Sequence, residues 1–392
     1  MPQPTESKEN LPPLHTYTIA YITALPKEQT AVLATLDTIH HYHIPTPTSD
    51  KNTYTLGTIP PHNIVLICLP TMGTTSAASA VTSLLHTFPS MRFVLLVGVA
   101  GGVPRNGVRL GDVVVSVPVS GGYGGVVGWD RGMLVGDGRV VLGQDGGGLG
   151  VKEEVGVGLG VKRVLDGLKR NSEMVARKID GCLDDVEGRF PRLVPRWTRS
   201  DGLRDPLLER WWMYSYLNSV VWLLWKVVVA GVVGLLGLWG LAMMGFGFGF
   251  GFEAGMGKEE MVGAKEKKGG KVHVHYGLIA SGNFVVKDAK ARDALNKGFE
   301  EGILCVEMEA AGVMDLVPCI VVRGICDYAD SGKNKDWQEY AAMVAAAYAR
   351  VLLESLSPGD VDMVGDARNI HVCRGKVEYP SNPVELDMGI RL

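Results

Sequence analysis

The chain has 392 residues, 46% of them hydrophobic, and a net charge of -3 at neutral pH. That length allows one large domain or two ordinary ones, and the near-neutral balance gives no general reason to expect a nucleic-acid partner. The 6 cysteines show neither a C-x-x-C pair nor metal-ligand spacing, so reduced thiols in an intracellular protein are expected rather than a disulfide framework.

The opening residues, "MPQPTESKENLPPLHT", are polar and proline-rich. They lack the apolar core of a signal peptide, so secretion is not expected, and residues 1–16 read as a disordered tail. From Tyr17, "YTIAYITAL" reads as a strand that stops at Pro26. "KEQTAVLATLD" then has helical spacing, with the proline well placed at the helix start. "NTYTLGTI" and "NIVLICLP" read as two strands around a Pro-Pro-His-Asn turn. "TTSAASAVTSLLHTF" is a small-residue helix, "FVLLVGVAGGV" a buried strand running into glycines, and "GDVVVSVPV" another strand. Strand, helix and glycine-rich turn in alternation predict an α/β domain. "HHYH", residues 40–43, reads as a solvated loop in preference to a metal site, because no glutamate or cysteine partner is near in sequence.

The texture changes after about residue 120. Much of the glycine, 51 residues in all, lies in the stretch that begins "GGYGGVVGWDRGMLVGDG". A charged stretch, "KRVLDGLKRNSEMVARKIDGCLDDVEGRF", follows it. Residues 211–252 are almost wholly apolar and end in "GFGFGFGF", and a lysine-rich linker comes next. Regular patterning resumes at His273 and runs through the helix "DWQEYAAMVAAAYARVLLESL". Residues 357–392 read as an irregular tail, and the chain has no evident internal repeat.

Five stretches in order, "YTIAYITALPKE", "LLVGVAGGVPRNGVRLGDVVVS", "YGLIASGN", "VEMEAAGV" and "RGICDYADSGKNKDWQEYAA", resemble the nucleoside phosphorylase and nucleosidase superfamily. They look most like its fungal branch, in which the domain is often joined to NLR-type receptor modules. The resemblance covers about residues 17–120 and 273–356. It implies a single three-layer α/β domain with a central mixed, partly barrel-like sheet flanked by helices, its two halves separated by an insertion over 121–272. It also implies cleavage of the N-glycosidic bond of a purine nucleoside or nucleotide by water or phosphate, in a cytoplasmic homo-oligomer that needs neither cofactor nor metal.

That chemistry calls for a proton donor at the departing base, anchors on the sugar hydroxyls and a positioned nucleophile. Asp327 ends an apolar run, which places it at the C-terminal end of a strand, where open α/β sheets hold ligands. By resemblance it is the acid at the purine N7; by itself it could equally be a turn or helix-cap aspartate. The resemblance implies that Glu309 holds the ribose 2′- and 3′-hydroxyls on its two oxygens, with Met308 against the sugar face. Glu307 either joins it or, with it, opens a solvated helix. Glu28 matches the glutamate that activates water in related nucleosidases; alone it would read as a first-turn helix charge. The resemblance implies that Gly73, Val99, Ala100 and Gly101 belong to two turns that let backbone approach the nucleoside. Asn283 and Phe284 are placed near the base, Phe284 either stacking on it or packing in the core.

Two departures bear on mechanism. Phosphorolytic members usually carry an arginine just before the glycine-rich turn, whereas "FVLLVGVAGG" has no positive charge between Arg92 and Arg105; with Glu28, this favours water over phosphate. Cys326 stands where related nucleosidases often have a serine. The alternatives are phosphorolysis, with phosphate as co-substrate, and a nucleoside-sensing module without turnover. Residues 227–252 carry no charge and are long enough to cross a bilayer, but a single crossing would part Glu28 from Glu309 and Asp327. The apolar segment therefore reads as non-native sequence in preference to a membrane-dipping loop, a membrane-associated form of the protein or a self-association surface.

Overall fold

The computed structural model describes residues 11–41, 44, 46–119, 124–130, 132–134, 140–142, 158–199, 203–207, 220–226, 272–369 and 384–386. They fall into two units, one of residues 1–200 with 271–392 and one of residues 201–270.

The first unit is built on β1 (Tyr17–Thr23), whose tyrosine, isoleucines and alanine are buried on both faces, as a central parallel strand requires. It pairs in parallel with β4 (His62–Cys68) on one side and β5 (Phe93–Gly102) on the other. β2 (Thr38–His40) and β3 (Tyr54–Ile59) extend the β4 side in antiparallel order. Beyond β5 come β13 (Cys319–Asp327), β6 (Val113–Ser116) and β10 (Val274–Gly277). β5 is long enough to serve a second arm. Its last glycines pair antiparallel with β12 (Cys305–Glu307), which pairs with β11 (Ile279–Ser281) and, through it, β7 (Val126–Gly128). The main sheet is thus mixed, eleven-stranded and branched. β8 (Gly132–Leu134), β9 (Val140–Leu142) and β14 (Val384–Leu386) form a separate three-stranded sheet.

Helices cover the sheet. α1 (Pro26–Thr35) and α2 (Thr74–Thr87) occur where the spacing places them. α3 (Gly158–Arg170), α4 (Ser172–Arg189) and α5 (Val194–Trp197) follow β9, and α6 (Ala289–Lys297) is capped by Asp288, which accepts from the N–H groups of Lys290 and Ala291. α7 (Ala310–Val313) is short and buried and packs on α2. α8 (Gln338–Ser355) is buried along most of its length, from Tyr340 to Leu353, and lies on β13 and β5. Each buried Val, Leu or Met there contributes roughly 1.5–3 kcal/mol. The alanines and Gly324 let α8 come close: a Cβ on Gly324 would overlap the carbonyl of Ala341.

Two expectations change. Residues 126–128 belong to the main sheet and α4 packs on α8 and α1, so this part of the expected insertion belongs to the first unit. Glycine-rich flanks hide the apolar stripe of Val175, Ala176, Ile179 and Val186 that α4 buries. The tail expected to be irregular opens with α9 (Pro358–Asp362), where Ser357 and Asp360 cap each other through side chain and backbone.

In the second unit, residues 220–226 are helical and expose Val221, Trp222, Leu223, Leu224 and Trp225, with Lys226 over the Trp222 ring. The rest of the apolar segment 211–252 lies outside the described residues. Among the described residues, no helix is long and apolar enough to cross a membrane.

Candidate active site

Parallel strands put the ends of β1, β4, β5 and β13 on one edge of the sheet, and the sequence-named residues gather there. β1 runs into Ala24 and Leu25, whose N–H groups both donate to Glu28 Oε2 at 2.8 and 2.9 Å. The other oxygen, Oε1, accepts from Val99 N at 2.8 Å. Glu28 therefore does close the first turn of α1, as an N3 glutamate can, but it is buried at 3% exposure rather than solvated.

Beside it is a residue that sequence reading missed. Arg323 projects from the middle of β13 and is 1% exposed. Its Nη2 donates to both Glu307 Oε2 and Glu309 Oε2, the latter at 3.0 Å. Gly98 marks how closely the guanidinium and Glu28 approach the glycine-rich strand end, since a Cβ there would overlap Arg323 Nη1 and Glu28 Oε1. Glu309 is the N-cap residue of α7, and its Oε1 accepts from Gly73 N at 3.2 Å. Glu307 ends β12 and turns inward, so the two glutamates converge without being on one extended segment. The solvated-helix reading of both fails, because Glu307 and Glu309 are each 4% exposed.

Three carboxylates thus share one guanidinium out of water. Burial alone would lower the basicity of Arg323, but Glu307, Glu309 and Glu28 together hold it charged, above its usual range. Burial pushes Glu309 up to about 7; Glu307 and Glu28 push the same way, and Arg323 and the Gly73 N–H oppose them. Burial also raises Glu28, against Arg323 and its three backbone donors.

Asp327 ends β13 and is 4% exposed. Its Oδ1 accepts from Ala329 N at 2.9 Å, and Ala329 is held at a φ of 51°. Its Oδ2 receives the Lys333 ammonium at 3.0 Å and the Cys326 thiol at 3.2 Å. The turn reading is therefore realised in part, and the lysine, which sequence reading did not single out, is a second cation at the site. Burial and the charge of Asp327 push the Cys326 thiol well up, which keeps it a donor. Gly101 abuts the acid: a Cβ there would lie 2.9 Å from Asp327 Oδ1.

The remaining residues form the rim. Asn283 Oδ1 accepts from Thr74 N and Oγ1, both at 3.1 Å, and its own N and Nδ2 donate to Asp130 Oδ2. This bridge ties the loop after β11 to the start of α2. Phe284 is 63% exposed with its ring 6.0 Å from that of Trp129, so the core-packing alternative does not hold. Val99 and Met308 are half-buried, and Ala100 is buried. Elsewhere, His40 spends its ring nitrogens on Tyr17 and Thr58; Tyr42 and His43 lie outside the described residues.

Residues 18–125 match the family described as the phosphorylase superfamily. A nucleotide-binding leucine-rich repeat (NLR)-like protein of Hyaloscypha variabilis is 38% identical over 350 residues, covering 87% of this chain and 30% of that one. A 5′-methylthioadenosine/S-adenosylhomocysteine nucleosidase of Haemophilus ducreyi is 31% identical over 98 residues, 24% of this chain and 42% of that one. The chain thus spans less than half the length of these relatives. The solved futalosine hydrolase of Helicobacter pylori superposes with a TM-score of 0.47 at 15% identity, covering 87% of this chain and 99% of that one. Over its matched segment, the chain is thus similar to the nucleoside phosphorylase and nucleosidase superfamily.

Proposed function

We propose that the chain hydrolyses the N-glycosidic bond of a purine nucleoside or nucleotide. The observation that carries the reading is the charge balance around Arg323. One buried guanidinium faces three buried carboxylates, so the cation next to the glycine-rich turn is already fully compensated. A phosphate nucleophile brought there would be repelled by net negative charge, whereas neutral water would not.

In this reading Glu309 accepts the ribose hydroxyls on the lone pairs left free by Gly73 and Arg323. Glu28, which burial makes a stronger base than a solvated glutamate, takes a proton from the attacking water. Asp327 delivers or shares a proton at the purine N7 as the base leaves. Lys333 must give up its contact with Oδ2 for that oxygen to carry a proton. The oxocarbenium-like sugar forms between the carboxylates, whose net negative charge favours it. Gly73, Val99, Ala100 and Gly101 present backbone to the nucleoside, and Met308 and Phe284 present apolar surface.

A second reading has its own support. The relative that matches most of the chain is named as an NLR-like protein, which suits a module that binds a nucleoside and does not turn it over. The purified chain, incubated with a panel of purine nucleosides and nucleotides while free base is followed, separates the two. Base release that disappears in Asp327→Asn supports the enzyme; saturable binding of a nucleoside with no base released from any of the panel supports the sensor.

A further inference from the structure

Glu307 is the most thoroughly bonded carboxylate of the cluster. Its Oε2 accepts from Arg323 Nη2, from Glu309 N at 3.1 Å and from Ala310 N at 3.1 Å; its Oε1 accepts from Ala310 N at 3.2 Å. Its side chain is 1% exposed, against 5% for Glu309. Three donors crowd the oxygen on the cluster side, and a sugar hydroxyl would be a fourth. Geometry therefore separates two glutamates that the sequence presents as a pair.

We propose that Glu307 is a positioning residue for sugar recognition, acting on Glu309 through both its backbone and its Arg323 partner, and that it does not touch the substrate. The inference rests on the assignment of Glu309 to the ribose diol. Two links carry it. Glu307 fixes the N–H groups of residues 309 and 310, which sets where the Glu309 side chain leaves the chain at the start of α7. It also anchors the same Arg323 nitrogen that reaches Glu309 Oε2 at 3.0 Å. Without the anchor, that nitrogen is free to settle wholly on Glu309 and to occupy the lone pairs meant for the diol.

The charged groups facing Glu309 are Arg323 from β13, Glu307 from β12 and Glu28 from α1. Glu307 repels the Glu309 charge and draws off part of Arg323. Neutralising it removes both effects, so Glu309 should ionise at lower pH.

The test is Glu307→Gln, which keeps an acceptor for the two backbone N–H groups and loses the charge. We would measure kcat/KM, and separately Kd, for a purine ribonucleoside and its 2′-deoxy counterpart, with a pH profile of each. Preference for the ribo form should fall about threefold, a fraction of the worth of one hydrogen bond to a charged group and short of the loss in Glu309→Gln, and the acid limb should move to lower pH. A uniform loss that leaves both the preference and the limb unchanged would reduce Glu307 to a merely structural part and overturn the proposal. Complete loss of preference, equal to that of Glu309→Gln, would also overturn it by making Glu307 a direct sugar contact. If Glu307→Gln does not fold, Arg323→Lys takes its place. It keeps the charge, but its ammonium stops short of the position of Nη2, so it should lower the preference by a similar factor, and an unchanged preference would refute the coupling. The Kd arm keeps the test independent of turnover: absence of base release from every substrate would sink the hydrolytic reading, while the ribo-to-deoxy ratio of Kd would still decide the role of Glu307.

Discussion

Replacing Arg323 with methionine perturbs the cluster where the structure is most specific. The guanidinium is 1% exposed and contacts Glu307 and Glu309, with Glu28 beside it. Methionine fills similar space and leaves three carboxylates buried without a cation. Removing one partner from a buried ion pair costs about 3–5 kcal/mol, because the remaining charge is left uncompensated. The loss should depend on pH, and its sign follows from the carboxylates. Glu28 and Glu309 already sit above the ordinary range, and Arg323 is the main force opposing that rise. Without it they rise further, so the native state binds more protons than the unfolded one above the usual carboxylate value of about 4.3. Stability then falls as pH increases through that window. Urea unfolding of natural protein and variant at about pH 5 and about pH 8 gives the two differences from the shift in midpoint at constant m. The deficit should be near the lower figure at acid pH and should grow at alkaline pH. A deficit below about 1 kcal/mol, or one equal at both pH values, would refute the view that Arg323 compensates buried charge.

Other expectations concern the chemistry and the apolar segment. Asp327→Asn should fold and lose about 10²–10⁴-fold in kcat, since an amide cannot supply the acid proton; near-normal turnover would remove Asp327 from its role. Glu309→Gln should abolish most of the ribo-over-deoxyribo preference, about 1.5–3 kcal/mol, as read from kcat/KM for the pair of substrates. In the natural protein the acid limb of kcat/KM should lie at about 7, to which burial pushes Glu309, with activity lost as pH falls below it; a limb in the ordinary carboxylate range of about 4.3 would contradict the burial argument. Deleting residues 211–252 should raise soluble yield and leave nucleoside binding intact, because exposed side chains such as Trp222 and Trp225 mark an interface or an aggregation hazard. A deletion variant that cannot fold would show that the segment belongs to the core.

The strands and helices on either side of the site are legible because their apolar residues follow one period from end to end. "YTIAYIT" and "CIVVRGICD" read as buried strands and are buried strands. Asp327 ends β13 and Glu28 stands in the first turn of α1 just past β1, because a change of polarity or a proline closes each run. Arg323 is not legible in the same way. It stands in mid-strand among valines and isoleucines, and a single charge there gives no hint of its partners, which lie 14, 16 and 295 residues away and meet it only through the pairing of β13 with β5. The absence of a cation before the glycine-rich turn is correct as sequence, yet the fold brings one from the neighbouring strand. Lys333 escapes notice for a similar reason: a lysine in a polar loop normally points to water, and only the turn at Ala329 returns it to Asp327. The role of Glu307 stays open in sequence because spacing cannot tell the last residue of a strand from the first cap of a helix. The α4 stripe is obscured by glycine-rich flanks that suggest an insertion.

The central claim is that water, and not phosphate, takes the sugar. The most direct measurement is the identity of the sugar product when the purified chain is given a purine nucleoside with and without inorganic phosphate. The charge balance at Arg323 predicts free ribose and free base at the same rate in both conditions. Ribose 1-phosphate, formed only when phosphate is present, would contradict it.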